Sequence, residues 1–170
     1  PLFKTCSFLT IHAGEEGSAQ NIWEAVYKLN AHRIGHGLTL IKHPFLLELA
    51  RNTQICIEMA PISNIFTNPH LENNSPLHDY IKKGICVTIN TDDKAWSDSS
   101  LSDEYVKGAE LYWKRAKNKN LESEFKSKFL TKWEVLRIVK NGFKKAFINR
   151  EEKRDLLNAV EEEIYQLILV

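Results

Sequence analysis

The chain has 170 residues, of which 43% are hydrophobic and 26% charged, and its formal net charge is +1. A chain of this length and composition can bury the core of one globular domain. The near-zero net charge argues against nucleic acid as a partner, and the apolar runs are too short to span a membrane.

The first half of the chain alternates between short apolar segments and segments with helical spacing. Strands are predicted over residues 6–11, 32–34, 54–59 and 85–89, and helices over residues 19–29, 45–50 and 76–83. Residues 68–75 are polar and contain proline, so they predict a loop. Regular alternation of strands and helices favours a parallel sheet with right-handed crossovers.

Polar residues follow each of the four predicted strands. They are His12, His36, Ser63 and Asp92. Short apolar strands with such residues at their C-terminal ends are typical of a (β/α)₈ barrel, and four units make half of one. A doubly wound open sheet is the structural alternative.

The chain after residue 93 is predicted to be helical. Helices are expected over residues 103–116, from Thr131 to about residue 141, and over residues 151–167, and the charged residues 117–126 are expected to be a linker or a helix end. Thr131 and Glu134 have the spacing of a capping box. We therefore predict a single partial domain over residues 1–170, with four strand units in residues 1–93 and a helical part in residues 94–170.

Three cysteines, Cys6, Cys56 and Cys86, each fall within a predicted strand, and no two of them are spaced as CxxC. An odd number without that spacing argues against a disulfide framework and against a thiolate zinc site. We expect small buried side chains in a reducing compartment, and hence a cytoplasmic protein.

The residues at the strand ends can be read in two ways. Adjacent acids such as Asp92 and Asp93 repel each other, so they could serve a metal and a ligand separately, or they could form a solvated turn or a helix N-cap. His12 and His36 could likewise be structural. If these side chains share one site, imidazole and carboxylate ligands suit Zn²⁺, and a second histidine could deprotonate a bound water.

Four short motifs occur in the order and spacing of the adenosine deaminase family, which this chain resembles over essentially its whole length. They are HAGE at residues 12–15, RIGHG at residues 33–37, PISN at residues 61–64 and NTDD at residues 90–93. The resemblance covers only the C-terminal half of the family's barrel. It implies a zinc-dependent hydrolase that converts adenosine to inosine.

The resemblance also implies a role for each polar residue. His12 and Asp92 resemble two ligands of the catalytic Zn²⁺. Glu15 matches the acid that protonates N1 of the purine, and His36 matches the base that orients the attacking hydroxide. Asp93 matches the acid that holds N7. The same resemblance implies that Gly14 contacts the substrate.

Two features depart from the family pattern. The His-x-His pair that supplies two zinc ligands does not occur in this sequence, and Lys94-Ala95-Trp96 follows the two aspartates where the family usually has proline. We therefore expect this chain to be inactive alone and to need the missing N-terminal half of the barrel, or a partner chain that supplies it. The alternatives are a non-catalytic half-barrel that serves as an interaction module, and a related aminohydrolase that acts on adenine or a modified adenosine.

Overall fold

The computed structural model describes residues 8–118 and 130–169, and the structural statements below concern those residues. Four strands form one parallel sheet: β1 (Thr10–Ala13), β2 (Arg33–His36), β3 (Cys56–Met59) and β4 (Cys86–Ile89). The spatial order is β1-β2-β3-β4, the same as the order along the chain. A doubly wound sheet reverses its strand order at a switch point, so this topology favours a section of a barrel.

Helices connect the strands and then fill the second half of the chain. They are α1 (Gln20–Tyr27), α2 (Pro44–Thr53), α3 (Pro61–Thr67), α4 (Leu71–Asn74), α5 (Leu77–Lys82), α6 (Lys94–Ser97), α7 (Leu101–Asn118), α8 (Lys132–Lys145) and α9 (Arg150–Leu169), with a 3₁₀ helix at Leu38–Lys42. The predicted capping box is confirmed: Thr131 and Glu134 exchange side-chain-to-backbone hydrogen bonds at the start of α8. No helix in the described ranges has the length and apolarity needed to cross a membrane.

The first strand lies later in the chain than predicted. The apolar run suggested residues 6–11, but β1 extends to Ala13 because His12 and Ala13 remain in register with Gly35 and His36 of β2. Backbone pairing, rather than side-chain apolarity, therefore sets where this strand ends. Residues 1–7 lie outside the described ranges, and so does Cys6.

Three short α-helices and the 3₁₀ helix were not predicted. The expected loop over residues 68–75 contains α4, α3 begins just after β3, and α6 begins after the NTDD segment that follows β4. Pro61 is the first residue of α3, where its fixed φ suits a helix start and its missing N–H costs nothing. Most of the linker predicted over residues 117–126 lies outside the described ranges.

The sheet is buried, as expected for parallel strands covered by helices. All four residues of β4 are buried, and so are Ile34, Ile57 and Met59 of the neighbouring strands. Cys56 and Cys86 are paired across the sheet in register and are buried free thiols, as predicted. The strand interiors therefore form the core, and the polar residues are left at the strand ends.

Tyr80 connects α5 to the segment that follows β2. Its side chain is fully buried, and its hydroxyl donates to the Gly37 carbonyl oxygen at 2.6 Å and accepts from the Ile41 N–H at 3.1 Å. Burial raises the pKa of Tyr80, so the hydroxyl remains a neutral donor. These two hydrogen bonds fix the backbone just after His36.

Tyr80→Phe is therefore expected to destabilise the chain by about 1–3 kcal/mol, because it removes a buried hydroxyl that makes hydrogen bonds to the Gly37 carbonyl and the Ile41 N–H. The free energy of unfolding from urea titration checks this. Tyr165→Phe is the matched control, since Tyr165 is 61% exposed and its loss should cost under about 0.5 kcal/mol. Equal effects of the two substitutions would contradict the structural role of the Tyr80 hydroxyl.

Candidate active site

Four of the predicted site residues converge at the C-terminal edge of the sheet, with His36 Nε2 at their centre. This nitrogen lies 3.2 Å from His12 Nδ1, 3.5 Å from Glu15 Oε2 and 3.9 Å from Asp92 Oδ2. The two imidazole ring centroids are 4.8 Å apart. His36 is buried, whereas His12 on the edge strand β1 is exposed. The structure thus brings the predicted metal-binding and catalytic residues into one cluster.

The backbone at His36 adopts a conformation that most residues avoid. Its φ is +64°, and such left-handed geometry costs a non-glycine residue about 1–2 kcal/mol. Strain of this kind often marks a functional site. The preceding residue must be small, because a Cβ on Gly35 would lie 2.9 Å from Cδ2 of His12. The glycine therefore leaves room for the His12 imidazole beside His36.

Gly14 shapes the turn that carries Glu15. Its φ is +68°, and a Cβ at this position would collide with the side chains of Ile22 and Thr39. Its carbonyl oxygen accepts a hydrogen bond from the Thr39 N–H at 2.9 Å. Packing and backbone conformation therefore account for a glycine at position 14. The contact of Gly14 with a substrate stays a prediction.

The first turn of α3 makes hydrogen bonds to two residues of the cluster, Asp92 and His36. Ser63 Oγ donates to Asp92 Oδ2 at 2.7 Å, and Asn64 Oδ1 lies 2.8 Å from His36 Nδ1. Both residues are buried. Sequence reasoning placed Ser63 at a strand end but assigned no role to Asn64. The only signal for Asn64 was its position next to Ser63 in the PISN motif.

The two adjacent aspartates have different partners, as the sequence suggested they would. Asp92 faces His36 and Ser63, whereas Asp93 caps α6 by accepting hydrogen bonds from the N–H groups of Ala95 and Trp96. Both of these hydrogen bonds end at Asp93 Oδ1, at 3.1 and 3.2 Å. The helix N-cap, weighed as an alternative for the pair, is therefore correct for Asp93.

A model of the family described as adenosine deaminase matches residues 4–163. The chain belongs to the adenosine deaminase family. An adenosine deaminase from Shewanella halifaxensis is 34% identical over 154 residues, which are 89% of this chain and 41% of that protein. An adenine deaminase from Crocosphaera subtropica is 34% identical over 152 residues, which are 88% of this chain and 41% of that protein.

The fold agrees with that of solved amidohydrolases. An amidohydrolase from Burkholderia ambifaria, solved with bound Zn, matches with a TM-score of 0.71 and 20% identity, covering 95% of this chain and 41% of that chain. This chain thus spans about two fifths of the length of the relatives it matches. The predicted half-barrel of four parallel units, part of an adenosine deaminase family barrel, is confirmed.

The side chains present fit part of a zinc site. The imidazole of His12 and the carboxylate of Asp92 are ligand types that Zn²⁺ takes, but a catalytic zinc has about three protein ligands. Within residues 8–118 and 130–169, no group of three or more histidine, cysteine, aspartate or glutamate side chains is arranged to hold a metal. The ligand types therefore suit Zn²⁺, but the described residues supply fewer ligands than a catalytic zinc needs.

A small pocket opens beside the cluster. It has a volume of about 70 Å³ and is lined by His12, His36, Glu58, Asn90 and Asp92 among others. Ligand pockets for small molecules are about 300–1,000 Å³. The described residues therefore form only part of the wall that a purine would need.

Proposed function

We propose that this chain is the C-terminal part of a zinc-dependent aminohydrolase that converts adenosine and water to inosine and ammonia. The observation that carries the proposal is the position of His36 Nε2, within 3.9 Å of one imidazole and two carboxylates at the C-terminal edge of the sheet. A chain that served only for interaction has no physical need to hold these four groups together. Family membership supports the same reaction class.

The missing part is the N-terminal half of the barrel. In the described sheet, β1 and β4 are edge strands whose outer sides lack a strand partner. Closing the barrel would give both edge strands a second strand partner. We propose that residues 1–170 form one partial domain, with the strand units in residues 1–93 and the helical part in residues 94–170. The complete enzyme below means this chain together with that half, in one polypeptide or two.

His12 and Asp92 would hold the zinc, together with ligands from the other half. Zn²⁺ bound there would supply a hydroxide nucleophile at neutral pH by lowering the pKa of a water. Ser63 keeps the Asp92 carboxylate oriented through its 2.7 Å hydrogen bond. Such outer hydrogen bonds commonly tune metal affinity.

Glu15 and His36 would move the protons. Addition of hydroxide to C6 of the purine places charge on N1, and Glu15 in its acid form would give N1 a proton. His36 Nε2 would take one proton of the attacking water and return it to the departing amino group, which leaves as ammonia. The proton that remains on the C6 hydroxyl would return to the Glu15 carboxylate as the C6 carbonyl of inosine forms. By resemblance, Asp93 would hold N7 of the purine through Oδ2, which makes neither capping hydrogen bond.

Adenine is the second candidate substrate, since the relative from Crocosphaera subtropica with 34% identity is an adenine deaminase. The two can be separated by the ratio of kcat/KM values for adenosine and adenine, measured on the complete enzyme with added Zn²⁺. A higher value for adenosine supports the proposed substrate. A higher value for adenine supports the second candidate, and turnover of neither overturns the function.

The buried free thiols Cys56 and Cys86 support a reducing, cytoplasmic setting.

The chain of 170 residues alone is expected to show no measurable deamination of adenosine, with or without Zn²⁺. Its described residues offer two metal ligands by resemblance and only part of a purine pocket. The loss of adenosine absorbance checks this, with the complete enzyme as the positive control. Robust turnover by the chain alone would show that the remaining ligands and pocket wall are already present in it.

A further inference from the structure

The first turn of α3 contacts His36 on the side of the ring that faces away from the other residues of the cluster. Asn64 Oδ1 is 2.8 Å from His36 Nδ1, the ring nitrogen that points away from the cluster. Both side chains are buried, with 2% of Asn64 and 3% of His36 exposed. A hydrogen bond of this length in a buried setting is strong enough to select one protonation form of a neutral imidazole.

The direction of this hydrogen bond determines which nitrogen of His36 carries the proton. A carbonyl oxygen only accepts, so Nδ1 must donate, and neutral His36 then has its lone pair on Nε2. The carboxylates of Glu15 and Asp92 favour the opposite form, but they lie 3.5 and 3.9 Å from Nε2. Both distances exceed the usual range of about 2.7–3.2 Å for a hydrogen bond from nitrogen to oxygen. The shorter contact to Asn64 therefore prevails.

The same choice extends to the neighbouring histidine. His12 Nδ1 lies 3.2 Å from His36 Nε2. If Nε2 of His36 is the acceptor, Nδ1 of His12 must be the donor, and neutral His12 then has its own lone pair on Nε2. In that form Nε2, and not Nδ1, is the nitrogen of His12 that can bind a metal.

Glu104 of α7 fixes the turn on which Asn64 lies. Its side chain has no exposed area, and it accepts hydrogen bonds from the Ile62 N–H at 2.9 Å and from Ser99 Oγ at 3.0 Å. The Ile62 N–H is one of the groups at a helix start that has no partner within the helix. A buried carboxylate on α7 therefore holds the first turn of α3 against α7.

We propose that Asn64 is a positioning residue that sets the tautomers of His36 and, through it, of His12, and that Glu104 keeps Asn64 in place. Its catalytic meaning rests on the proposed function, because a lone pair on His36 Nε2 is what a base at this position needs. The tautomer itself is a property of the chain and can be measured without any reaction. An Asn64 amide turned the other way would donate from Nδ2 to His36 Nδ1 and would put the ring proton on Nε2. In the structure, Asn64 Nδ2 is buried and makes no hydrogen bond with the described residues. The turned amide is therefore the alternative that the experiment must distinguish from the observed one.

The test is nitrogen NMR of the full chain with ¹⁵N-labelled imidazoles, at a pH where the rings are neutral. The chain has six histidines, and His36→Gln identifies the signals of His36. We expect the proton on Nδ1 in the unmodified chain, a loss of this preference in Asn64→Leu, and its retention in Asn64→Asp, which keeps an oxygen acceptor. Thr67→Val is the matched control, because it removes side-chain hydrogen bonds of the same helix, to the Ser63 and Asn64 carbonyl oxygens, and should leave the His36 tautomer unchanged.

A proton on Nε2 in the unmodified chain overturns the proposal, and so does an unchanged tautomer in Asn64→Leu. If that variant does not fold, the unmodified chain and Asn64→Asp still decide. In the complete enzyme, Asn64→Leu should lower kcat by about 10–100-fold at nearly unchanged KM. Absence of any deamination would count against the proposed function and leave the tautomer result standing on its own.

Discussion

Glu15→Gln in the complete enzyme is expected to lower kcat by about 10²–10⁴-fold and to leave KM nearly unchanged. N1 of the purine must gain a proton as hydroxide adds to C6. An amide can still donate a hydrogen bond to N1, so binding of the ground state should survive. It cannot give up a proton, so the transition state loses its general acid.

The structure supplies a matched control for this substitution. Glu15 Oε2 lies 3.5 Å from His36 Nε2, whereas the next residue, Glu16, is exposed. Glu16→Gln removes the same charge from the same turn and should change kcat by less than about two-fold, since an exposed carboxylate contributes little. Steady-state kinetics on both variants check the prediction. An equal loss in both, or a rise in KM without a loss of kcat for Glu15→Gln, would remove Glu15 from the role of acid.

The shared position of the polar residues was predictable from the sequence because parallel strands place their C-terminal ends at one edge. That rule alone puts His12, His36, Ser63 and Asp92 near one another, whatever the detailed packing. The exact end of β1 was not predictable in the same way. His12 and Ala13 belong to the strand through pairing with β2, and the amino-acid pattern of one strand does not show the register of its neighbour.

The role of α3 was missed for a different reason. A helix of seven residues has too few turns to show a periodic pattern, and its start was indicated only by Pro61. What makes Asn64 important is a contact with His36, 28 residues earlier in the chain. Glu104 contacts Ile62 across 42 residues. Such partners become visible only when the chain is folded.

The paired aspartates show a case where the sequence left two alternatives open. Asp suits both a helix N-cap and a ligand position, and composition cannot assign one to each residue. The structure makes Asp93 the N-cap because α6 begins directly after it, and the ligand position of Asp92 stays a proposal. Lys94-Ala95-Trp96, the departure from the family pattern, is the helix that Asp93 caps.

Asp92→Ala is expected to remove the metal from the complete enzyme and to abolish activity for that reason. Asp92 is one of the two metal ligands proposed in this chain, and its loss leaves the zinc one donor short of a stable set. Metal content per chain after gel filtration checks this directly. Glu15→Gln is the control, since Glu15 is assigned to the substrate and should keep its zinc.

Ser63→Ala should give an intermediate result. The Asp92 carboxylate would remain but would lose the 2.7 Å hydrogen bond that orients it, and we expect zinc affinity to fall by about 10–100-fold. Competition with a chelator of known affinity measures the change. The order of metal retention should therefore be Glu15→Gln, then Ser63→Ala, then Asp92→Ala. Loss of zinc from Glu15→Gln together with its retention by Asp92→Ala would reverse the two roles, because the carboxylate that holds the metal is the one whose removal releases it.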